Sequence, residues 1–224
     1  MSRTISSKAR FFDRLAAGDL WLDFSPQERR CIARLLRRLR IAPGMTVLEP
    51  GCGKGRLTGE LLRAVGPHGR VIANDISPRM IAAARRRRLG RRVRWCVGPA
   101  AALCLPRASV DRIVCFHSFP HLGSPRLILK KFRKMLKPDG LLAIVHLTSR
   151  REVNRVHAHA AAAIRRDLLP DARTMRNLLR QCGFGSCELR STRTGYWLFA
   201  TAAPEKPLGA MDSGRAATPK NPRR

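Results

Sequence analysis

Apolar positions along the chain follow two alternating patterns. Short continuous apolar runs predict buried strands, whereas apolar residues at three- and four-residue spacing between them predict amphipathic helices. The predicted strands cover residues 47–50, 70–75, 92–97, 109–116 and 141–147. Because strands that alternate with helices pair in parallel through helical crossovers, the sequence predicts a doubly wound α/β fold with helices on both faces of the sheet.

The predicted helices begin at recognisable signals. Ser25, Pro26 and Glu28 form a capping box, so a helix with a buried apolar stripe begins there. Upstream, only a short amphipathic helix starting near Phe11 is expected, because residues 1–10 show no apolar periodicity. Further helices are predicted at residues 57–65, 78–89, 127–136, 151–168 and 172–182, and a turn at residues 137–140 separates the third of these from the next strand.

Beyond residue 182 the pattern changes. Residues 186–194 and 196–201, separated by Gly195, predict a terminal antiparallel hairpin, which gives a mostly parallel seven-stranded sheet. After Ala203 the chain is dominated by Pro, Gly, Ser, Lys and Arg, which is typical of disorder. We therefore divide the chain into an N-terminal segment (1–24), one α/β domain (25–203) and a disordered basic tail (204–224).

Composition adds an unusual charge and an ordinary cysteine pattern. The formal net charge is +30, from 45 Lys and Arg against 15 Asp and Glu. A nucleic-acid partner would explain this charge, but arginines spread from Arg3 to Arg224 fit compositional drift better, and we favour the latter. Seven cysteines without a C-x-x-C pair predict no metal site and a reducing, cytoplasmic location. No apolar run is long enough to predict a membrane span.

The glycine-rich turn at Gly51, Gly53 and Gly55 follows the first predicted strand and is the main candidate for ligand binding. A carboxylate at Glu49 would repel a pyrophosphate but attract a cationic amino group. The spacing G-x-G-x-G also differs from the dinucleotide fingerprint G-x-G-x-x-G. Asp75 lies at the end of the second strand, where a carboxylate can accept hydrogen bonds from both ribose hydroxyls.

These features resemble the class I methyltransferases, which have a Rossmann-like fold and use S-adenosylmethionine. The resemblance rests on residues 47–55, 71–80, 105–121 and 133–140, and is strongest to the branch that contains ubiquinone and menaquinone methyltransferases. It implies a methyltransferase domain over residues 25–203 that modifies a small-molecule acceptor. It also implies a cofactor-binding set of Glu49, Gly51, Cys52, Gly53, Gly55, Asp75, Ile76, Ala100 and Phe116.

One position departs from the family. Relatives usually have an acidic residue after the third strand that accepts a hydrogen bond from the adenine amino group, whereas this chain has Gly98-Pro99-Ala100. Pro99 cannot accept that bond through its side chain, although the Ala100 N–H can still reach the ring. A lost hydrogen bond of this kind costs about 0.5 to 1.5 kcal/mol, so we expect cofactor affinity to be several-fold lower.

Histidines follow the fourth and fifth predicted strands, where an acceptor would face the transferred methyl group. His117 and His121 are candidate bases, or polar residues that line the mouth of a loop. Asn154 and His157 are three residues apart and lie on one face of the predicted helix, and His146 lies at the end of the fifth strand. Together these three side chains are expected either to bind the acceptor or to form hydrogen bonds at the start of the helix. His146, His157 and Asp167 do not have the spacing of a known metal-ligand set, so no metal is expected.

Two alternative functions remain open from the sequence. The charge and the basic tail allow an RNA methyltransferase, while Pro99 allows a cofactor-binding or partner-binding module without catalysis. If the protein is an enzyme, the catalytic candidates are the four histidines His117, His121, His146 and His157.

Overall fold

The computed structural model describes residues 3–18 and 23–203, so the predicted tail at 204–224 lies outside the described residues. Its strands are β1 (Thr46–Pro50), β2 (Arg70–Asp75), β3 (Val93–Val97), β4 (Val110–Phe116), β5 (Leu136–His146), β6 (Phe184–Ser191) and β7 (Tyr196–Ala202). Its helices are α1 (Arg3–Ala16), α2 (Pro26–Leu39), α3 (Arg56–Ala64), α4 (Pro78–Arg85), α5 (Pro125–Met135), α6 (Arg150–Ala158) and α7 (Ala172–Gln181).

The strands form one seven-stranded sheet in the order β3-β2-β1-β4-β5-β7-β6. β1 to β5 pair in parallel, while β7 pairs antiparallel with both β5 and β6. This confirms the predicted doubly wound α/β fold and its terminal antiparallel hairpin. The strand order reverses between β1 and β4, the position at which open α/β sheets bind their ligands.

Two apolar layers hold the helices on the sheet. α2, α3 and α4 pack on one face through residues such as Leu35, Leu61 and Ile81. α5 and α7 pack on the other face through residues such as Phe132 and Leu179. Burial on both faces explains why the middle parts of the central strands are rich in apolar residues.

The helix starts follow the predicted local chemistry. Ser25 Oγ accepts a hydrogen bond from the Glu28 N–H, and the Glu28 side chain accepts one from the Ser25 N–H, so the capping box is confirmed. Ser77 Oγ likewise accepts from the Met80 N–H at the start of α4. No helix in the ranges 3–18 and 23–203 is long and apolar enough to cross a membrane.

Three predicted boundaries differ from the structure by five residues or more, while the end of α4 differs by four. β5 begins at Leu136 instead of Leu141, because Leu136 pairs with Val110 before the register shifts across the predicted turn. α6 ends at Ala158 instead of near 168. The Asn154 amide donates to the Leu169 carbonyl and accepts from the Leu169 N–H, which folds the following segment back onto the helix.

The third wrong boundary is at α1, which begins at Arg3, eight residues before the predicted start at Phe11. It packs against α4, and Asp13 Oδ1 accepts hydrogen bonds from Ser77 Oγ at 2.5 Å and from the Arg79 N–H at 3.1 Å. Segment 1–24 therefore includes a helix that lies against the predicted domain.

Candidate active site

A cavity of about 800 Å³ lies at the carboxyl ends of β1, β2, β4 and β5. Its volume is in the upper part of the range of about 300 to 1,000 Å³ that is common for ligand sites. Eight of the nine predicted cofactor residues line it: Glu49, Gly51, Cys52, Gly53, Asp75, Ile76, Ala100 and Phe116. We call the part formed by the turn after β1 and the end of β2 the cofactor half.

Gly51, Gly53 and Gly55 all have positive φ, but they serve different purposes. A Cβ on Gly53 would meet no protein atom within 4 Å, so this face of the turn is open to a ligand. A Cβ on Gly51 would lie 2.4 Å from the Ser118 Cβ, where the segment after β4 crosses the turn. A Cβ on Gly55 would lie 3.1 Å from both Ala84 and Trp95, and Gly55 does not line the cavity. Gly55 therefore allows close helix packing and is placed outside the ligand surface.

The Glu49 carboxyl group is the most deeply buried acid of the cofactor half. It is 2% exposed, and its Oε2 accepts a hydrogen bond from Thr58 Oγ1 at 2.6 Å. Burial raises the pKa of Glu49 to about 8, an effect that the Thr58 hydrogen bond opposes and the nearby Asp75 charge reinforces. A cationic ligand group beside Glu49 would favour its ionised form and lower that pKa again.

Asp75 is fixed by the backbone of two turns. Its Oδ2 accepts from the Gly53 N–H and its Oδ1 from the Ser77 N–H, each at 2.9 Å. Burial raises the pKa of Asp75, while these hydrogen bonds act in the opposite direction. Each carboxylate oxygen can accept a second hydrogen bond, so Asp75 can still receive two hydroxyl groups.

α1 forms one wall of the cavity through Lys8, Phe11, Phe12 and Leu15. These positions recur at three- and four-residue spacing, so they lie on one face of the helix. No residue of this helix was among the site residues predicted from the sequence. The spacing of the residues could have indicated this wall, because Lys8 precedes Phe11 and Phe12 by three and four residues and would share their face in a longer helix.

The part of the cavity between α1, α6 and the ends of β4 and β5 contains all four candidate histidines, and we call it the acceptor half. His117 has φ +53°, and its Nε2 accepts a hydrogen bond from the Leu147 N–H at 3.2 Å. Burial lowers the pKa of His117 to about 4, so the ring stays neutral near pH 7. With Nε2 occupied, this ring is better suited to position an acceptor than to remove a proton.

His121 and His157 come together on Asp167. His121 Nδ1 lies 2.8 Å from Asp167 Oδ2, and Lys8 Nζ lies 2.8 Å from Asp167 Oδ1. His157 Nδ1 donates to the backbone carbonyl of Asp167, and its ring centroid is 4.6 Å from that of His121. Asp167, which the sequence analysis weighed only as a metal ligand, is thus the centre of a polar cluster.

His146 is 2% exposed, and its Nε2 has no hydrogen-bond partner in the described part of the chain. Burial lowers the pKa of His146 well below its usual value, an effect that the neighbouring histidines reinforce. Asn154 does not face this ring, because its amide is bonded to Leu169, so the predicted convergence of His146, Asn154 and His157 is wrong for Asn154.

Residues 47–140 match the family model described as a methyltransferase domain. This match and the curated relatives make the chain similar to class I S-adenosylmethionine-dependent methyltransferases. The matched residues include the glycine-rich turn, Asp75 and the segment after β4.

Similar curated proteins modify different acceptors. The Hahella chejuensis ubiquinone/menaquinone biosynthesis C-methyltransferase is 24% identical over 85% of this chain and 88% of its own length. A malonyl-[acyl-carrier protein] O-methyltransferase from Laribacter hongkongensis is 31% identical over 78% of this chain and 62% of its own. A tRNA (adenine(58)-N(1))-methyltransferase from Thermus thermophilus is 33% identical over 53% and 46%.

Among solved structures, the Haloferax volcanii complex between the Trm112 methyltransferase activator and a methyltransferase contains a chain with the same fold. Its TM-score is 0.72 at 21% identity, and the match covers 88% of this chain and 98% of that one. Three further curated relatives are matched over only 39%, 46% and 48% of their length, so this chain spans less than half of each.

The residues of the cofactor half fit S-adenosylmethionine, the cofactor of the methyltransferases that this chain resembles. The buried Glu49 carboxyl suits its amino group, the open face of Gly53 leaves room for it, and Asp75 suits its ribose. Pro99 and Ala100 line the cavity where the adenine would lie. Within residues 3–18 and 23–203, no three His, Cys, Asp or Glu side chains are arranged to hold a metal ion.

Proposed function

We propose that this protein is a methyltransferase, which transfers a methyl group from S-adenosylmethionine to a small-molecule acceptor bound in the acceptor half. The observation that carries the proposal is the continuity of one cavity from Glu49 and Asp75 to the four histidines. An acceptor held beside the histidines would therefore face the cofactor directly. Bound S-adenosylmethionine supplies an electrophilic methyl group on a positively charged sulfur.

The chain's own residues provide alignment and exclusion of water. Glu49 and Asp75 fix the two ends of the cofactor, while Phe11, Phe12 and Leu15 of α1 cover the cavity with apolar surface. Methyl transfer is an in-line displacement, and holding both reactants in the right geometry can supply about 7 to 11 kcal/mol of such a barrier. The enclosure by α1 favours a small acceptor over a large polymer.

Calorimetry of S-adenosylmethionine binding tests the cofactor assignment. Asp75→Asn keeps the shape of the side chain but removes a charged acceptor, which is worth about 1.5 to 3 kcal/mol per hydrogen bond, so affinity should fall at least about tenfold. Asp139→Asn is the control, because Asp139 is exposed and already has φ +58°, which asparagine tolerates. Equal binding by the wild type and Asp75→Asn would contradict the assignment.

An RNA acceptor is the second candidate. It is favoured by the +30 charge and by the similarity to a tRNA methyltransferase. Basic residues lie on both helix layers, for example Arg34 on α2 and Lys130 on α5, so the charge does not mark a single face. Methyl incorporation into total RNA with a steep salt dependence would support this candidate, whereas salt-sensitive binding without incorporation would indicate electrostatics only.

A cofactor-binding module without catalysis is the third candidate, and it is motivated by Pro99. Labelled S-adenosylmethionine incubated with a small-molecule extract separates it from the first. Transfer of label to any extract component would exclude a non-catalytic role. Tight cofactor binding without transfer to small molecules or RNA would support that role.

A further inference from the structure

The four histidines of the acceptor half differ in what their ring nitrogens contact. His117 is occupied at Nε2 by the Leu147 N–H, and His157 is occupied at Nδ1 by a neutral backbone carbonyl. His146 is buried without a charged partner. Only His121 is joined to a carboxylate, Asp167. An imidazole in contact with a carboxylate is the arrangement that stabilises the imidazolium formed when a histidine accepts a proton.

The His121 ring is held in one orientation by two neighbours. Asp167 Oδ2 lies 2.8 Å from its Nδ1, and Phe12 makes an edge contact with its ring at 5.1 Å between centroids. Asp167 has a lowered pKa, because the hydrogen bonds from His121 and Lys8 outweigh the effect of burial, so it is ionised near neutral pH. An ionised Asp167 requires the proton on Nδ1, which leaves Nε2 of this cavity-lining residue free to accept another.

Lys8 connects this pair to α1. Its Nζ donates to Asp167 Oδ1 at 2.8 Å and to the His121 carbonyl at 3.2 Å, and its side chain is 10% exposed. The same helix is held on the cofactor side by Asp13, which accepts hydrogen bonds at the start of α4. α1 thus contacts both halves of the cavity, and through Lys8 it contributes one of the contacts that hold Asp167 beside His121.

We propose that His121 is the general base of the reaction, that Asp167 and Lys8 are positioning residues, and that the acceptor carries a hydroxyl group that must lose its proton. This inference rests on the proposed methyltransferase function. In the reaction, a bond forms between the acceptor oxygen and the methyl carbon as the carbon–sulfur bond breaks, with its electron pair going to sulfur. The hydroxyl proton goes to His121 Nε2 and then to solvent.

The acceptor class follows from the need for a base. A carboxylate is already ionised near pH 7 and would need no proton acceptor, whereas a phenol or alcohol would. The apolar residues Leu122, Ile128 and Val153, which line the same cavity, suit the carbon skeleton of such a compound. The structure therefore favours a small hydroxylated molecule.

The first test is the pKa of His121, measured by imidazole NMR with S-adenosylhomocysteine present. Burial lowers this pKa, Asp167 raises it, and Lys8 and His157 lower it, while His146 is a further neighbour. Asp167→Asn should therefore lower the pKa and Lys8→Met should raise it. The exposed His159, which is bonded only to the Arg155 carbonyl, provides the control His159→Gln. Shifts in the same direction for both variants would overturn the positioning roles.

The second test uses 4-nitrophenol as the probe, because its phenol and phenolate absorb at different wavelengths. At a pH one unit below the pKa of the free probe, wild type with S-adenosylhomocysteine should bind it mainly as phenolate. His121→Gln should lose this enrichment and His159→Gln should keep it. Absence of binding, or equal ionisation with His121→Gln, would overturn the base and its acceptor class.

Calorimetry with S-adenosylhomocysteine on the same samples separates the two proposals. If it does not bind to the wild type, the methyltransferase function itself fails. If it binds equally to the wild type, His121→Gln and His159→Gln while the probe result fails, only the base assignment is lost. With a phenol that is methylated, His121→Gln should reduce turnover by about 100-fold or more, which is the usual contribution of a general base.

Discussion

The cofactor half and the acceptor half of the cavity are constructed differently. In the cofactor half, Glu49, Gly53 and Asp75 come from two adjacent strand ends and are fixed by backbone hydrogen bonds or short-range side-chain contacts. In the acceptor half, Lys8, His121 and Asp167 are separated by more than 40 positions from one another and meet only after folding. The first half is a local structure, whereas the second is a tertiary one.

This difference predicts how each half should respond to substitutions and to movement of the surrounding helices. A local turn depends on backbone conformation, so a single glycine substitution can destroy it without affecting distant residues. A tertiary cluster depends on long-range packing, so its members can be perturbed by movement of α1 alone. The two halves touch at Gly51, where Ser118 Oγ donates to the Pro50 carbonyl at 2.6 Å.

The largest expected effect is that of Gly51→Ala. Its Cβ would lie 2.4 Å from the Ser118 Cβ at φ +73°, so the two halves must move apart. The combined cost of overpacking and a left-handed non-glycine residue is about 2 to 5 kcal/mol of unfolding free energy. Thermal unfolding should show a Tm lower by several degrees for each kcal/mol at this chain length.

Gly53→Ala is the matched control, because its Cβ would meet no protein atom within 4 Å. We expect only the conformational cost of about 1 to 2 kcal/mol, accompanied by weaker cofactor binding if the open face of the turn is where the cofactor lies. Equal stability of the two variants would show that the contact between Gly51 and Ser118 does not hold the halves together.

The second prediction concerns Glu49→Gln. Glutamine keeps an acceptor for Thr58 Oγ1 but removes a carboxyl whose pKa is raised by burial to about 8. Because the folded pKa lies above the unfolded one, stability falls as pH rises from about 4.5 through about 8. The ligand-free variant should therefore be more stable than wild type above pH 8, by an amount on the order of a few kcal/mol, and similar below pH 4.5.

The same variant should bind the cofactor more weakly and without releasing a proton. At pH 7, Glu49 of the free wild type is mostly protonated, so pairing with a cationic amino group should release close to one proton. Calorimetry in two buffers of different ionisation enthalpy measures this release. Thr46→Ser, which alters β1 away from the cavity, should behave as wild type. Proton release that persists in Glu49→Gln would assign it to another group.

The same contrast explains what the sequence could predict. The sheet, the capping box and the lining of the cofactor half follow from apolar periodicity and from residues close in the chain, such as Glu49 and the glycine turn. The pairing of His121 with Asp167 could not be predicted, because it depends on the early end of α6 and on the Asn154–Leu169 hydrogen bonds. The start of α1 was predicted eight residues too late, because the residues before Phe11 are mostly polar and show no apolar periodicity.

The smallest expected effect is on the cofactor half alone, at Pro99. This residue precedes the one-turn 3₁₀ helix Ala100–Ala102, lines the cavity, and has φ −66° and ψ 139°, a conformation that aspartate adopts without strain. Pro99→Asp would restore the acceptor that relatives use for the adenine amino group. One hydrogen bond of about 0.5 to 1.5 kcal/mol corresponds to an affinity gain of about 2- to 12-fold in calorimetry.

Ala102→Asp separates that hydrogen bond from the charge that accompanies it. Ala102 is exposed on the same short helix and does not line the cavity, so its carboxylate adds a nearby negative charge without reaching the adenine. A gain in Pro99→Asp alone would locate the adenine beside residue 99 and make this position the point at which the chain departs from its relatives. An equal gain in both variants would instead trace the effect to long-range attraction of a cationic cofactor, and the adenine would have to lie elsewhere in the cavity.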